Sequence, residues 1–443
     1  MAAKREQISA MPTKRLFIEM LVKDVDLTDA IIDLVDNSID GAKRLRPDGN
    51  FTDLKIEIAI SEKKFLVKDN CGGIPIEVGK NYAFRFGRPN EATPTNGSIG
   101  RFGIGMKRAL FKLGKDFKIK TTSDLAKYSL TVDVIDWSKN DAPETWNFQT
   151  DAPVQLRSEI SPYGPDELGT QIEVTNLYSE VAKRFQHPTY ETEFRARMRS
   201  AQNSFLLDGL TILVNGTALI SQEVKLLQDS LLKPTFKHET IKAYEKAPAV
   251  NARYYVGLQG SIPPDHAGWY VYCNGRLILR ADRSEAVGWG ERSANIPRYH
   301  NQYARFRGYA FFDCSDSEQL PWNTTKTGLD LESTVYAKAR RTMVALMEPT
   351  IRFIDAIDDE RDSEDKTYTE IVSQAVEVSI DSMKIQTVFK LPPKNNSVPA
   401  KLSRITYQKP SAEFERVKNQ LEAKSAEEVG IKTFEYYQKY EVK

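Results

Sequence analysis

Asp29-Ala-Ile-Ile-Asp-Leu-Val-Asp-Asn-Ser-Ile-Asp40-Gly-Ala42 carries two patterns at once. Ile31, Ile32, Val35 and Ile39 fall on one face at spacings of three and four, which predicts a helix over Leu27–Ala42 with Gly41 as its stop. Opposite that face Asp29, Asp33 and Asn37 repeat every fourth residue, with Asp36 and Asp40 beside them. Taken alone, such a helix reads as one with a solvated acidic side. Crowded aspartates repel one another, however, unless a cation or hydrogen-bond donors compensate. A carboxylate can orient a water, and an amide oxygen suits Mg²⁺.

Three further segments bear on that helix. Alternation predicts strands at Leu54–Ile60 and Lys64–Lys68, followed by a turn over Asp69–Pro75 within Val67-Lys-Asp-Asn-Cys-Gly-Gly-Ile-Pro75. A carboxylate buried at that strand end can accept a hydrogen bond from an exocyclic amine such as that of adenine; without such a partner the segment is simply a turn. Gly97-Ser-Ile-Gly-Arg-Phe-Gly-Ile-Gly-Met-Lys107 runs into an expected helix, Met106–Leu113. Amides exposed at a helix N-terminus favour phosphate, so this is a glycine-rich phosphate cradle. It is neither the Walker pattern nor the dinucleotide pattern. Finally, Gly169-Thr-Gln-Ile-Glu-Val-Thr-Asn176 places the Thr170 hydroxyl at a strand start, where it can support a base-binding aspartate.

In order and spacing these four segments resemble the GHKL (Bergerat-fold) ATPase superfamily over about Lys23–Asn215, and the lid Ser98–Arg108 with Gly114-Lys-Asp-Phe117 is most similar to MORC-type heads. The resemblance implies an α+β chain: a Bergerat α/β sandwich that binds ATP and Mg²⁺ at 1–222, then an α+β transducer at 223–357. It also implies roles. Asp33 falls at the general base, Asn37 at the Mg²⁺ ligand with Asp36 alongside, and Asp69 at the adenine contact with Gly73 and Ile74. Gly97, Ser98, Gly100, Arg101, Phe102, Gly103, Ile104, Gly105 and Lys107 fall on the lid, and Thr170 on the supporting threonine. In the second domain Gln319-Leu-Pro-Trp-Asn-Thr-Thr-Lys326 resembles the transducer loop, which makes Lys326 the lysine that reaches the γ-phosphate. Two departures stand out. The family base is usually Glu, and a displacement of about 1 Å can cost on the order of 10²-fold in rate. Cys71 occupies the place of the adenine motif's first glycine.

The implied activity is slow ATP hydrolysis by an ATP-gated homodimer that closes on DNA. Two other readings stay open: a non-catalytic ATP switch that recruits an effector protein, and a chaperone-like clamp on protein clients. Between Arg276 and Phe312, arginines interleave with aromatics, including Arg298, Arg305 and Arg307 with Trp289, Tyr303 and Tyr309. That pattern suits nucleic acid, and equally an ordinary sheet with buried rings.

Beyond 357 the charge run Asp358–Asp365 and the turn-rich stretch ending at Pro399 read as a linker or extension, 358–400. The block 401–443 reads as strand, helix, turn, helix, with Ser425 and Glu428 forming a capping box. It resembles a ribbon-helix-helix module and fits a docked helical hairpin as well. The 443 residues are 40% hydrophobic and 28% charged with a net charge of +1, so no global field draws the chain to nucleic acid or anionic membrane. Three scattered cysteines, Cys71, Cys273 and Cys314, argue for a reducing compartment, and four dispersed histidines give no zinc-ligand spacing. Without a long apolar run, a cytoplasmic protein with no membrane association is expected.

Overall fold

The computed structural model describes residues 11–23, 25–87, 96–100, 103–159, 167–260, 263–393 and 405–442. The chain divides into two compact units, Met1–Pro393 and Lys394–Lys443. In the first, helices α1 (Lys14–Lys23) and α2 (Leu27–Leu45) precede strands β1 (Lys55–Ile60) and β2 (Phe65–Asp69). A single turn, α3 (Ile76–Val78), and the helix α4 (Gly105–Leu113) lead to β3 (Gly114–Thr122), β4 (Ala126–Asp133), α5 (Val134–Trp137), β5 (Gln155–Leu156) and β6 (Gly169–Leu177). Helices α6 (Ser179–Gln186) and α7 (Tyr190–Leu207) and strands β7 (Thr211–Val214) and β8 (Thr217–Ala218) follow.

These strands form an eight-stranded sheet of order β5-β4-β3-β6-β2-β1-β7-β8, in which only the β1–β7 pair is parallel. Period-two alternation decides which face is covered: along β4, Ala126, Tyr128, Leu130 and Val132 are buried while the residues between them are more open. α2 lies against α4 and α7, and its Ile31, Ile32, Leu34, Val35 and Ile39 are at most 1% exposed. Each such side chain contributes about 1.5–3 kcal/mol by burial. Asp26 caps α2 by accepting from Thr28 N.

The second sheet has five strands, β10 (Thr235–Ile241), β11 (Val250–Leu258), β12 (Gly268–Cys273), β13 (Arg276–Asp282) and β14 (Phe306–Asp313), preceded in the chain by β9 (Lys225–Gln228). Their order is β10-β11-β14-β12-β13, with β12 and β14 parallel. Helix α8 (Thr334–Asp359) packs on one face, and one apolar core runs on from the first sheet through it. On the other face Tyr272, Leu277 and Tyr309 meet Leu226 and Met383.

The stretch expected as a linker is structured at its start. α9 (Thr367–Gln374) buries Tyr368, Ile371 and Val372, and β15 (Val376–Ser379) pairs antiparallel with β9. The charge run is partly a cap: Glu360, 2% exposed, accepts from the amides of Tyr368 and Thr369. In the second unit, α10 (Ser411–Gln420) and α11 (Ala426–Tyr440) form, and Ser425 caps α11 from Glu428 N. Residues 405–410 carry no regular structure, so the strand expected there does not appear among the described residues. Among the described residues no helix is long and apolar enough to cross a membrane.

Candidate functional site

α2 presents its acidic side to four other segments of the chain. Asp33 Oδ2 pairs with Arg108 of α4, and Asp33 Oδ1 lies 3.3 Å from Lys326 Nζ. Lys326 also donates to Asp36 Oδ2 at 2.8 Å, and Gln202 of α7 donates to Asp36 Oδ1 at 2.8 Å. Arg276 Nε of β13 stands 3.3 Å from Asp36 Oδ1 without a hydrogen-bonding angle. The cations answer the crowding of the helix: burial pushes the Asp36 carboxyl up, but Lys326 and Arg276 outweigh it and hold the group below its ordinary range. Lys326 is desolvated as well, yet Asp33 and Asp36 keep its ammonium above the ordinary value. Its backbone is left-handed, φ 54°, in a loop closed by Lys326 N to Asn323 O at 3.1 Å.

Asn37 donates from Nδ2 to Asp33 O at 2.9 Å, which leaves its Oδ1 without a donor among the described residues. That oxygen lies toward the lid, 4.0 Å from where a Cβ on Gly100 would stand. A free carboxamide oxygen is a ligand of the kind a hard divalent cation takes.

Asp69, at the end of β2, accepts from Ser38 Oγ at 2.6 Å, Cys71 N at 2.9 Å and Thr170 N at 3.2 Å. Burial raises its pKa, and those donors oppose the rise. Thr170 therefore supports Asp69 through its amide; its hydroxyl pairs with Thr121 Oγ1 at 3.1 Å instead, and Ile74 N also donates to Thr121 Oγ1, at 2.7 Å. Gly72 and Gly73 take the left-handed turns, φ 90° and 69°, while Cys71 does not, so a side chain is tolerated where the family has glycine. A Cβ on Gly73 would stand 2.1 Å from Thr122 O. Asp69, Gly73, Ile74, Met106, Asn37 and Thr170 line an open cleft whose enclosed part is about 40 Å³, room for a few waters.

The lid is anchored from several directions. Ile99 N and Gly100 N donate to Asp40 at 2.7 and 2.8 Å, so these amides are held by a buried carboxylate. Gly97 N bonds Ser315 O at 3.1 Å, Lys43 Nζ bonds Gly97 O at 2.8 Å, and Asn274 donates to Ser98 O at 3.1 Å. Lys107, expected on the cofactor, donates to the carbonyls of Ala83 and Gly103, and burial lowers its pKa to about 7. The N-terminus of α4 at Ile104 and Gly105 has no side-chain cap, and a Cβ on Gly105 would lie 3.3 Å from Asp33 Oδ2. Arg101 and Phe102 lie outside the described residues.

Sequence reasoning missed Ser38, Thr121 and Arg108, and it named Asp40 and Arg276 without the roles they take here. For Arg108 a signal existed, since a cation in the first turn of a helix opposes the macrodipole and needs a partner. In the arginine–aromatic stretch Trp289, Tyr303, Phe306 and Tyr309 are buried, and Arg307 is 1% exposed, so these residues build the second sheet's interior. Arg298 remains open, 3.5 Å from Glu285. Among the described residues no His, Cys, Asp and Glu cluster could hold a metal.

No curated protein matches the chain. Residues 25–170, from just before α2 to the first residues of β6, match the family model described as histidine kinase-, DNA gyrase B-, and HSP90-like ATPase, which supports a GHKL-type ATP-binding fold for that segment.

Proposed function

We propose that the chain is a slow, Mg²⁺-dependent ATPase working as an ATP-gated dimer that closes on DNA, with 1–222 as the ATP-binding domain and 223–357 as its transducer. The observation that carries this reading is Lys326. A loop of the second sheet sends it to within hydrogen-bonding reach of both Asp33 and Asp36 on α2, next to the uncapped end of α4. In this reading Asp33 takes a proton from the attacking water, and Asn37 Oδ1 holds Mg²⁺. Mg²⁺, when bound, neutralises charge on the phosphates. Asp69, held by Ser38, Cys71 and Thr170, retains acceptor capacity on Oδ2 for the exocyclic amine of adenine. Lys326 leaves Asp33 for the γ-phosphoryl oxygens, which frees the carboxylate for the water.

Arg108 and Lys326 both occupy Asp33, which also favours a second reading: a nucleotide switch that binds ATP, does not turn it over, and recruits a protein effector. Light scattering with and without a non-hydrolysable ATP analogue and Mg²⁺, with turnover followed on the same sample, separates the readings. The expected result is a monomer that dimerises with the analogue, and phosphate release that Asp33→Asn abolishes while ATP still binds. Dimerisation without release supports the switch. An unchanged mass with no nucleotide bound overturns both. DNA affinity should be salt-sensitive and weakened by Arg298→Ala; the buried Arg307 is unsuited to that role.

A further inference from the structure

Separate from the Asp69 cavity, a larger one of about 920 Å³ opens between α7 and the second sheet. Its size falls in the upper part of the range of about 300–1,000 Å³ typical of small-molecule sites. Arg199 of α7 and Arg280 of β13 line it, and among the described residues neither has a carboxylate or hydrogen-bond partner. Tyr270, Tyr272 and Tyr309 form an aromatic wall, with the Tyr270 and Tyr309 rings 5.2 Å apart. Tyr272 and Tyr309 are 5% and 6% exposed, yet their hydroxyls make no hydrogen bond among the described residues. Arg276, 4% exposed, borders the same space with its Nε unsatisfied. Behind Tyr270 and Tyr309 the buried Arg307 bonds only Gln259 and two backbone carbonyls, and its Nη2 has no partner.

The buried Arg276 Nε and Arg307 Nη2 are costly where they stand without a partner, while Arg199 and Arg280 are exposed, solvated and free to receive an anion. The neighbouring titrations carry the same sign. The His266 imidazole is held below its ordinary range by burial and then by Arg280, and Arg307 and Arg280 pull against the rise that burial gives the Tyr270 phenol. Asp265 opposes these cations at both groups, and Asp282 also lines the space, so the anion-facing charge is confined to the arginines themselves. Guanidinium suits phosphate, and an aromatic wall suits a planar ring whatever its substituents.

We propose that this cavity is a second ligand site, distinct from the adenine pocket, for a nucleotide-class anion whose phosphate meets Arg199 and Arg280 and whose ring lies against Tyr270 and Tyr309. Lys326 and Thr327 line the same space, so an occupant would sit beside the lysine that holds Asp33 and Asp36.

The site is tested by isothermal titration of the full chain with GMP, UMP and pyrophosphate, which avoids adenine. GMP and UMP should both bind, because nothing in the wall selects a base, and pyrophosphate should bind about tenfold more weakly. Reversing charge at two exposed positions, Arg199→Glu with Arg280→Glu, should weaken GMP by about tenfold or more and leave the fold intact. Tyr309→Phe should weaken it by a smaller factor, and Asp69→Asn should leave it unchanged. The proposal fails if neither nucleotide binds, if pyrophosphate binds as well as they do, if the charge reversal has no effect, or if Asp69→Asn abolishes binding.

Discussion

Asp33 shows how a residue can be named correctly while its surroundings stay hidden. Its place four residues before Asn37 is plain in the sequence, because helical spacing puts both on one side of α2. Its counter-ion is Arg108, 75 positions away, and nothing local announces that pairing except a cation in the wrong turn of α4. Both side chains are nearly inaccessible, 4% and 6% exposed, so removing one partner strands a buried charge. Arg108→Met should therefore cost about 3 kcal/mol in urea denaturation, even with Lys326 still beside Asp33. A loss under about 1 kcal/mol would mean that Lys326 alone satisfies the carboxylate. Gly73 makes a second case at this scale. Its left-handed φ of 69° and the 2.1 Å approach of Thr122 O to any added Cβ act together. Gly73→Ala should destabilise by about 2–3 kcal/mol and weaken adenine-nucleotide binding, whereas Cys71→Gly, where φ is ordinary, should not restore anything.

At the scale of elements, what was legible followed periodicity. α2 and α4 and strands β1, β2 and β6 sit within a few residues of their expected places, because each has one apolar face at period two or near 3.6. α9 and β15 were hidden by a charge run whose Glu360 acts as a cap, and the arginine–aromatic stretch concealed a sheet interior. The lid was legible as glycines, but its anchoring was not. Lys107 looks like a phosphate ligand on the sequence and instead ties Gly103 to Ala83. That anchor has a pH signature. Its folded pKa of about 7 lies below the ordinary lysine value of 10.5, so between those values the unfolded chain binds more protons than the folded one. Stability from this group must therefore rise with pH from about 7 towards 10, by up to about 1.4 kcal/mol per unit. A neutral amine keeps two N–H donors, enough for both carbonyls. Lys107→Met should remove the rise, and urea midpoints of the two proteins at pH 7, 8 and 9 should diverge; parallel curves would place the ammonium in solvent.

For the first unit as a whole, the notable feature is that two sheets far apart in sequence share one ion network. Asp33 and Asp36 come from α2 on the eight-stranded sheet, while Arg276 and Lys326 come from β13 and from the loop that follows β14. All four are below a tenth exposed, so the electrostatic coupling between the sheets is little screened by salt. Asn274, 6% exposed, reinforces the same junction by donating to Ser98 O and Cys314 O. The Gln319–Lys326 loop made the lysine's approach legible, but not its pairing with Asp33 and Asp36 or the part of Arg276, which depend on which face of α2 the second sheet meets. A double-mutant cycle measures the coupling. Asp36→Asn keeps the amide partner of Gln202 but removes the charge, and Lys326→Met keeps the length of the side chain without its ammonium. Each alone should cost about 3 kcal/mol, since each leaves a buried charge with one counter-ion fewer. Together they should cost less than the sum by at least about 1 kcal/mol, because the second change relieves the charge stranded by the first. Strict additivity would show that the sheets are joined by apolar packing alone, and Lys326 would then be free to leave α2 at little cost.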